Sequence, residues 1–250
     1  MRSMKIIFFC VIVLFFSGCA VDRLALGYRF LQRTKYERAE IILKSYIQND
    51  EYPDKYHRAI ALFYLGFSEM MQDKLDLAIG SYSSAIKSES NFVFAYFNRG
   101  LCYMLLGHYE KALHDFKVTD KMLTDPQIEK FPKENFSSSD KNQKYIKINL
   151  YYQLMLNLLL QHYSVASILL QRLVKQFEQD HHLIMFCATI YLCKSPIQNV
   201  TEGYILYNKA LENQKEAIKR QDMQTWQDTS LENYLAHWLV QQQKKKLSWL

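Results

Sequence analysis

The feature that most constrains the fold of this chain is a 34-residue period in its middle part. At that offset Leu65-Gly66 aligns with Arg99-Gly100. Further matches at the same offset are Leu62 with Tyr96, Ala78 with Ala112, Tyr82 with Phe116, and Ala85 with Thr119. A period of this length is typical of chains that stack copies of one small unit. Glycine and proline number only 7 and 4, so we expect the unit to be helical.

The residue types at fixed places in the period resemble the tetratricopeptide repeat. The copy from Phe94 to Pro126 shows this best, with the turn Leu106-Gly107-His108-Tyr109 followed by Ala112. The resemblance implies a helix-turn-helix unit in which small residues let two helices approach while large residues fill the space between pairs. The predicted fold class is therefore all-α. It is a right-handed superhelical solenoid of about five such units with a C-terminal capping helix.

Five units and one insert follow when the pattern is carried along the chain. The predicted units are residues 20–51, 59–92, 93–126, 147–180 and 181–214, with a polar insert at 127–146. Residues 215–250 are predicted to form a capping helix and a basic tail. In that segment Trp226, Trp238 and Leu239 belong to an apolar face at helical spacing. A solenoid needs such a cap because its last unit otherwise exposes an apolar face.

The N-terminus has the order of a secretory signal peptide. Arg2 and Lys5 precede an apolar run from Ile6 to Phe16, and Ser17-Gly18-Cys19 follows. The run is shorter than the roughly 20 residues that span a bilayer. Small residues directly before a cysteine resemble the lipobox of bacterial lipoproteins, although Phe16 stands where that family usually has leucine. The resemblance implies that residues 1–18 are removed and that Cys19 carries the lipid. Plain secretion and an uncleaved anchor are the alternatives.

Composition and cysteine usage exclude several classes of function. The chain carries 31 Lys and Arg against 25 Asp and Glu, and no basic stripe is interleaved with aromatic residues. We therefore expect no nucleic-acid partner. Beyond Cys19 the cysteines are Cys102, Cys187 and Cys193, an odd number without a framework spacing. We expect them to be buried apolar residues and no disulfide to form.

A partner-binding groove is implied by the resemblance, since the first helix of each tetratricopeptide unit lines the concave surface. The predicted groove residues are Phe63, Phe67, Met70, Met71, Phe94, Phe97, Asn98, Leu101, Met104 and Leu105, continued in the fourth unit by Tyr151 and Leu159. Only Asn98 resembles the clamp that holds free carboxylates in chaperone-binding members, so that ligand is not expected. A partner's amphipathic helix or extended segment could fill an apolar groove, and so could residues 226–239 of this chain.

Catalytic and metal-binding motifs are not recognisable in the sequence. The tightest polar cluster is Asp180-His181-His182, at the expected end of a helix. Adjacent histidines on a helix point about 100° apart and chelate a metal poorly. We therefore expect no catalysis, no cofactor, no metal and no small-molecule substrate. An envelope enzyme that uses His181 and His182 is the alternative from another class.

These observations combine into one functional prediction. The chain is expected to be a lipid-anchored adaptor or scaffold that binds proteins during cell-envelope assembly. If Cys19 sorts like the lipoproteins it resembles, Ala20 favours the outer membrane, with the protein facing the periplasm of a Gram-negative cell. The alternative within binding is a pilotin-like chaperone that carries one outer-membrane client.

Overall fold

Helices account for almost all of the chain that the structure describes. The computed structural model describes residues 23–49, 52, 54–131, 139–192 and 197–219. Within these ranges the helices are α1 (Arg23–Gln32), α2 (Tyr36–Gln48), α3 (Lys55–Met71), α4 (Leu75–Ser88), α5 (Val93–Leu105), α6 (Tyr109–Thr124), α7 (Ser139–Leu159), α8 (Tyr163–Gln176), α9 (His181–Leu192) and α10 (Val200–Lys219). The described residues contain no strand, only an isolated bridge between Phe92 and Phe131. The predicted all-α class is confirmed.

Helices that follow one another in the chain also pack on one another. The described residues divide into two compact units between Leu169 and Leu170. In the first unit each helix from α1 to α6 packs on the next one. In the second unit α9 packs on α10. Turns of only a few residues join α1 to α2, α3 to α4, and α5 to α6, so the two helices of each pair run antiparallel.

Three glycines set the closest approach between paired helices. A Cβ atom on Gly27 would lie 2.7 Å from Leu43, one on Gly66 would lie 2.9 Å from Tyr82, and one on Gly100 would lie 3.0 Å from Phe116. Each glycine precedes its large partner by 16 residues. The same small-to-large contact therefore recurs in three successive pairs, and it fixes the register of one helix on the other.

The turns inside the helix pairs share one backbone conformation. Thr34, Asp73, Gly107 and Gln161 have φ angles of 56°, 62°, 78° and 58°. In each turn the next residue donates its N–H to a carbonyl five residues earlier. These bonds are Lys35 to Phe30 at 2.9 Å, Lys74 to Glu69 at 2.9 Å, His108 to Tyr103 at 2.8 Å and His162 to Asn157 at 2.8 Å. Such bonds satisfy the last carbonyls of a helix, so the chain reverses in the same way four times.

Helix α7 begins earlier than the sequence predicts. The insert was expected to extend to residue 146, but α7 starts at Ser139. The extra turns have partners on α6, since the Asn142 side chain donates to the Leu123 carbonyl at 3.2 Å. Ile146 is 3% exposed. The polar composition of the insert predicted a loop. In the structure the C-terminal part of the insert belongs to α7 and packs on α6.

Buried amides distinguish the contact between α6 and α7 from the earlier ones. The side chains of Asn149 and Gln153 donate to the Phe116 carbonyl at 3.0 and 3.3 Å. Asn157 is 1% exposed and donates to the Gln153 carbonyl at 2.7 Å. These hydrogen bonds offset part of the cost of burying the three amide side chains.

Several predictions concern residues outside the described part of the chain. Residues 1–22 are among them, and with them the signal peptide and Cys19. The apolar face at 226–239 also lies outside the described residues, whereas α10 continues to Lys219 and so includes the start of the segment assigned to the cap. The signal peptide, the lipid site and the capping helix stay predictions.

Candidate functional site

The predicted groove residues divide into a buried and a half-buried set. Phe67, Met70, Met71, Asn98 and Leu101 are buried, with at most 8% of their surface exposed. The half-buried residues are Phe63, Phe94, Phe97, Met104 and Leu105. A side chain that is closed off by its own protein contributes to packing and cannot contact a partner without rearrangement. The half-buried set is therefore the part of the predicted groove that a partner could reach.

Two phenylalanines of the predicted groove, Phe67 and Phe97, pack between helices. The Phe67 ring meets the Tyr36 ring edge-on, with centroids 6.4 Å apart. Phe97 lies between Phe116 at 5.4 Å and Tyr152 at 5.8 Å. Aromatic pairs at these distances stabilise the fold beyond the area they bury. Phe67 and Phe97 thus connect successive helix pairs.

Two apolar side chains on the first helices of their pairs are more exposed than Phe67 and Phe97. Tyr28 on α1 is 42% exposed and Leu159 at the end of α7 is 58% exposed. Tyr28 stacks on Tyr64 with centroids 5.1 Å apart, and burial raises the pKa of Tyr64 to about 12. Tyr28 was missed because the groove was assigned from the second, third and fourth units only. Its place before the Thr34 turn could have identified it.

An aromatic cluster lies at the N-terminal ends of α3 and α5. We define it as Tyr56, Phe63, Phe92, Phe94 and Phe131. Phe63 and Phe92 have ring centroids 4.9 Å apart, and Phe63 and Phe94 are 6.4 Å apart. Because Phe63 and Phe94 belong to the predicted groove, the cluster is continuous with it.

Phe131 enters this cluster from the insert that follows α6. Its ring packs edge-on against Tyr56 at 4.8 Å and Phe92 at 4.6 Å. Its backbone N–H donates to the Asn91 carbonyl at 3.1 Å, and only 8% of its surface is exposed. A segment of the chain itself therefore covers one end of the groove. The sequence offered residues 226–239 as one possible occupant of the groove, beside a partner's segment, and the aromatic Phe131 inside a polar insert was a signal for this contact.

A buried ion pair joins α5 to α6. The Arg99 guanidinium donates from Nε and Nη2 to the two carboxylate oxygens of Asp115, both at 2.8 Å, and from Nη1 to Ser83 Oγ at 3.0 Å. The Asp115 side chain is 1% exposed. Such a pair is costly to break because one charge would remain buried alone. Arg99 stands where the previous unit has Leu65, so it has a structural role at this position.

A second ionic cluster surrounds Glu40 on α2. Its carboxylate accepts bonds from Lys44 at 2.6 Å, Lys74 at 2.7 Å and Gln72 at 2.7 Å. Burial alone would raise the pKa of Glu40, but these three donors outweigh burial and lower the pKa to about 2. A pocket of about 510 Å³ lies beside the cluster. All of the carboxylate's strong contacts are to its own protein, so the cluster fastens helices together.

The Asp180-His181-His182 sequence forms the start of α9. The Asp180 carboxylate accepts a hydrogen bond from the Leu183 N–H at 3.0 Å, which is the contact of a helix N-cap. The two imidazole rings lie 4.0 Å apart. Among the described residues no group of three or more His, Cys, Asp and Glu is arranged to hold a metal ion. Asp180 therefore has the role of a helix N-cap, and this role accounts for a polar residue at the start of α9.

The cysteine thiols in the described ranges are enclosed. Cys102 and Cys187 are buried free thiols, and burial raises the pKa of Cys187 to about 12. A thiol with such a pKa is a poor nucleophile.

None of the described helices is both long enough and apolar enough to cross a bilayer.

Solved structures share this arrangement of helices over most of the chain. The crystal structure of MamA aligns with a TM-score of 0.58 and 13% identity, covering 77% of this chain and 96% of that one. YrrB, described as a TPR protein with an unusual peptide-binding site, aligns with a TM-score of 0.55 and 12% identity, covering 82% and 92%. The TPR-like repeats of a putative kinesin light chain from Podosopora anserina give a TM-score of 0.58 and 11% identity, covering 79% and 95%. The chain has the tetratricopeptide-repeat fold.

Sequence comparison supports the same fold in one copy of the repeat. The profile of the Tetratricopeptide repeat family matches residues 93–117, which comprise α5 and the first half of α6. A comparison with curated proteins gives no significant match. The matched copy contains Gly100 and Ala112, both fully enclosed between helices. The predicted fold class, an all-α chain of about five tetratricopeptide units, is confirmed.

Proposed function

We propose that this tetratricopeptide chain is an adaptor that binds other proteins at a membrane of the cell envelope. The observation that carries the proposal is the half-buried apolar surface on the first helices of successive pairs. Phe63, Phe94, Met104 and Leu105 contribute to it, and Tyr28 and Leu159 are its most open members. Aromatic and methionine side chains of this kind are the usual anchors at protein interfaces.

Peptide binding by a related fold supports the proposal. The description of YrrB assigns a peptide-binding site to that protein. A peptide or helix in the present chain would lie against helices α1, α3, α5 and α7. The chemistry of the surface selects an apolar segment, because no lysine or arginine is among the groove residues that could pair with a carboxylate. The proposed activity is binding without a reaction.

Membrane attachment is the second part of the proposal. Cys19 would carry the lipid, and α1 begins four residues later at Arg23. Exposed cations lie on α1, on α2 and in the turn between them, namely Arg29, Arg33, Lys35 and Arg38. Cations near the surface of an anionic membrane are attracted by about 1 kcal/mol each. We place the protein at the outer membrane, facing the periplasm and serving envelope assembly.

Affinity purification from crosslinked membranes tests the adaptor role. The bait is the tagged full chain, and the groove variant is Tyr28→Lys/Leu159→Lys. We expect the variant to lose a partner that the wild type retains, because a charge on each open groove position opposes apolar contact. Phe67 and Phe97 are unsuitable for this test because their substitution would disturb packing.

The matched control is Ile41→Lys/Ile168→Lys. Ile41 on α2 and Ile168 on α8 are 67% and 65% exposed, and they lie on the second helices of the same two pairs. This control should retain the partner. Loss in both variants, or in neither, would contradict binding through the first-helix surface.

A further inference from the structure

In residues 125–131, the described part of the segment between α6 and α7, Phe131 is the most deeply buried side chain. Pro126, Gln127 and Glu129 are exposed, whereas Phe131 is 8% exposed. Inside the segment the Asp125 carboxylate accepts the Gln127 N–H at 2.8 Å, a local turn that does not fasten it to the helices. Phe131 thus attaches this part of the segment to the helices through its buried ring and its backbone hydrogen bond to the Asn91 carbonyl.

The site that receives Phe131 has the features of a peptide-binding pocket. The rings of Tyr56 and Phe92 meet the Phe131 ring at 76° and 78°, so a flat ring fits edge-on between them. The Asn91 carbonyl accepts the N–H of the inserted residue, and Phe92 and Phe131 form a parallel bridge. An extended strand that presents one aromatic ring satisfies all of these contacts.

We infer that Phe131 is an internal occupant of a partner-binding pocket, bound where an extended segment of a partner would insert an aromatic side chain. The inference rests on the proposed adaptor function and names the chemistry of the ligand. The partner's segment competes with residues 125–131 for Tyr56, Phe92 and the Asn91 carbonyl. Phe63 connects this pocket to the rest of the groove through its contact with Phe92.

Competition lowers the apparent affinity of any external ligand. When a pocket is open only a tenth of the time, the apparent dissociation constant rises about tenfold. Intramolecular occupancy is favoured because the ring is tethered close to its pocket. Removal of the Phe131 ring should therefore increase affinity for an added segment, which is the opposite of what removal of an ordinary core residue does.

The test uses a labelled peptide with the sequence of residues 125–134 as the external ligand. Binding to the purified full chain is measured by fluorescence anisotropy, for the wild type and for Phe131→Ala. We expect at least tenfold tighter binding to Phe131→Ala, and we expect no binding of the same peptide with Phe131→Ala in its own sequence. Adding Tyr56→Ala to the protein variant should remove the gain.

A matched control is Ile128→Ala, a half-buried residue of the same segment, which should bind the peptide as weakly as the wild type. The inference is overturned if Phe131→Ala binds no peptide or binds it no more tightly than the wild type. Loss of cooperative unfolding in Phe131→Ala would overturn it too, because the ring would then be part of the core. Partner capture by Tyr28 and Leu159 is measured separately, so either proposal can fail alone.

Discussion

At the residue scale, the absence of a Cβ atom decides how closely paired helices pack. Gly66 faces the ring of Tyr82, which is fully buried. A Cβ atom placed there would lie 2.9 Å from two ring atoms. Gly80 lies inside α4, and a Cβ atom there would meet nothing within 4 Å. The same residue type thus has a packing role at one position and none at the other.

The substitution Gly66→Ala should destabilise the protein by about 1–3 kcal/mol, because the added methyl group overpacks a contact that cannot expand. Gly80→Ala should stabilise it by about 0.5–1 kcal/mol, since alanine favours an exposed helix interior. Urea unfolding followed by circular dichroism measures both changes. Equal shifts in the two variants would mean that the small-to-large contact does not limit the approach of α3 and α4.

At the scale of elements, Glu40 connects three helices through one carboxylate. It lies on α2 and bonds Lys44 on the same helix. Its other donors are Gln72, which ends α3, and Lys74, which precedes α4. Glu69 on α3 is 2% exposed and accepts a bond from Ser81 Oγ at 2.6 Å. Burial raises the pKa of Glu69. Acid therefore removes a stabilising charge at Glu40, whereas at Glu69 it relieves the cost of burying a charge.

Acid should remove the contribution of Glu40 to stability. Its folded-state pKa of about 2 lies below the unfolded value of about 4.5. The stabilisation is therefore complete above about pH 5 and is lost as the pH falls toward 2. We expect Glu40→Gln to cost about 2 kcal/mol at pH 7, after allowance for the half-exposed lysines, and almost nothing near pH 2.

Urea unfolding of the wild type and Glu40→Gln at several pH values measures this difference. The titration that Glu69 would show without Glu40 is common to both proteins and cancels, whereas the part of its raised pKa that comes from the Glu40 charge contributes to the difference. A constant difference from pH 7 to pH 2 would show that Glu40 stabilises the fold by its shape and not by its charge.

At the scale of the whole molecule, the proposed attachment to the membrane would depend on one residue, Cys19. Each buried CH₂ of a lipid chain contributes about 0.8 kcal/mol, so one modified cysteine can hold the entire protein on a bilayer. The proposed adaptor role requires this attachment, because partners are gathered at the membrane only if the chain stays there.

Cys19→Ala should release the chain from membranes or leave it as an uncleaved precursor. Fractionation of cells followed by detection of the chain in the membrane and soluble fractions measures the effect. Cys102→Ala is the control, since it removes a buried thiol that has no lipid role, and it should remain with the membrane. Unchanged membrane association of Cys19→Ala would contradict lipid attachment.

The repeat pattern placed the predicted groove residues of the second and third units on the first helices of their pairs. Phe63, Phe94 and Phe97 are half-buried, whereas Phe67 is buried. The pattern could not separate Phe67 from the other three, because all four are apolar residues on first helices. Phe67 is buried where the ring of Tyr36, from the preceding helix pair, packs on it.

In the turns inside the helix pairs, residue type likewise predicts only one of the left-handed residues. Gly107 is an expected residue for a left-handed turn, but Thr34, Asp73 and Gln161 adopt nearly the same φ angle. A non-glycine residue pays for this conformation with strain, which the hydrogen bonds that close the turn and the packing of the two helices overcome. Only the helix pair as a whole makes the conformation favourable.

The sequence by itself determined the helix pairs and their spacing, because the small and large residues that set each close contact recur at fixed distances along the chain. Only the tertiary structure decided where Phe131 lies and how early α7 begins. Both depend on contacts with other helix pairs, Phe131 with Tyr56 and Asn142 with the Leu123 carbonyl. Residues so distant in sequence carry no periodic signal, so their meeting follows from packing alone.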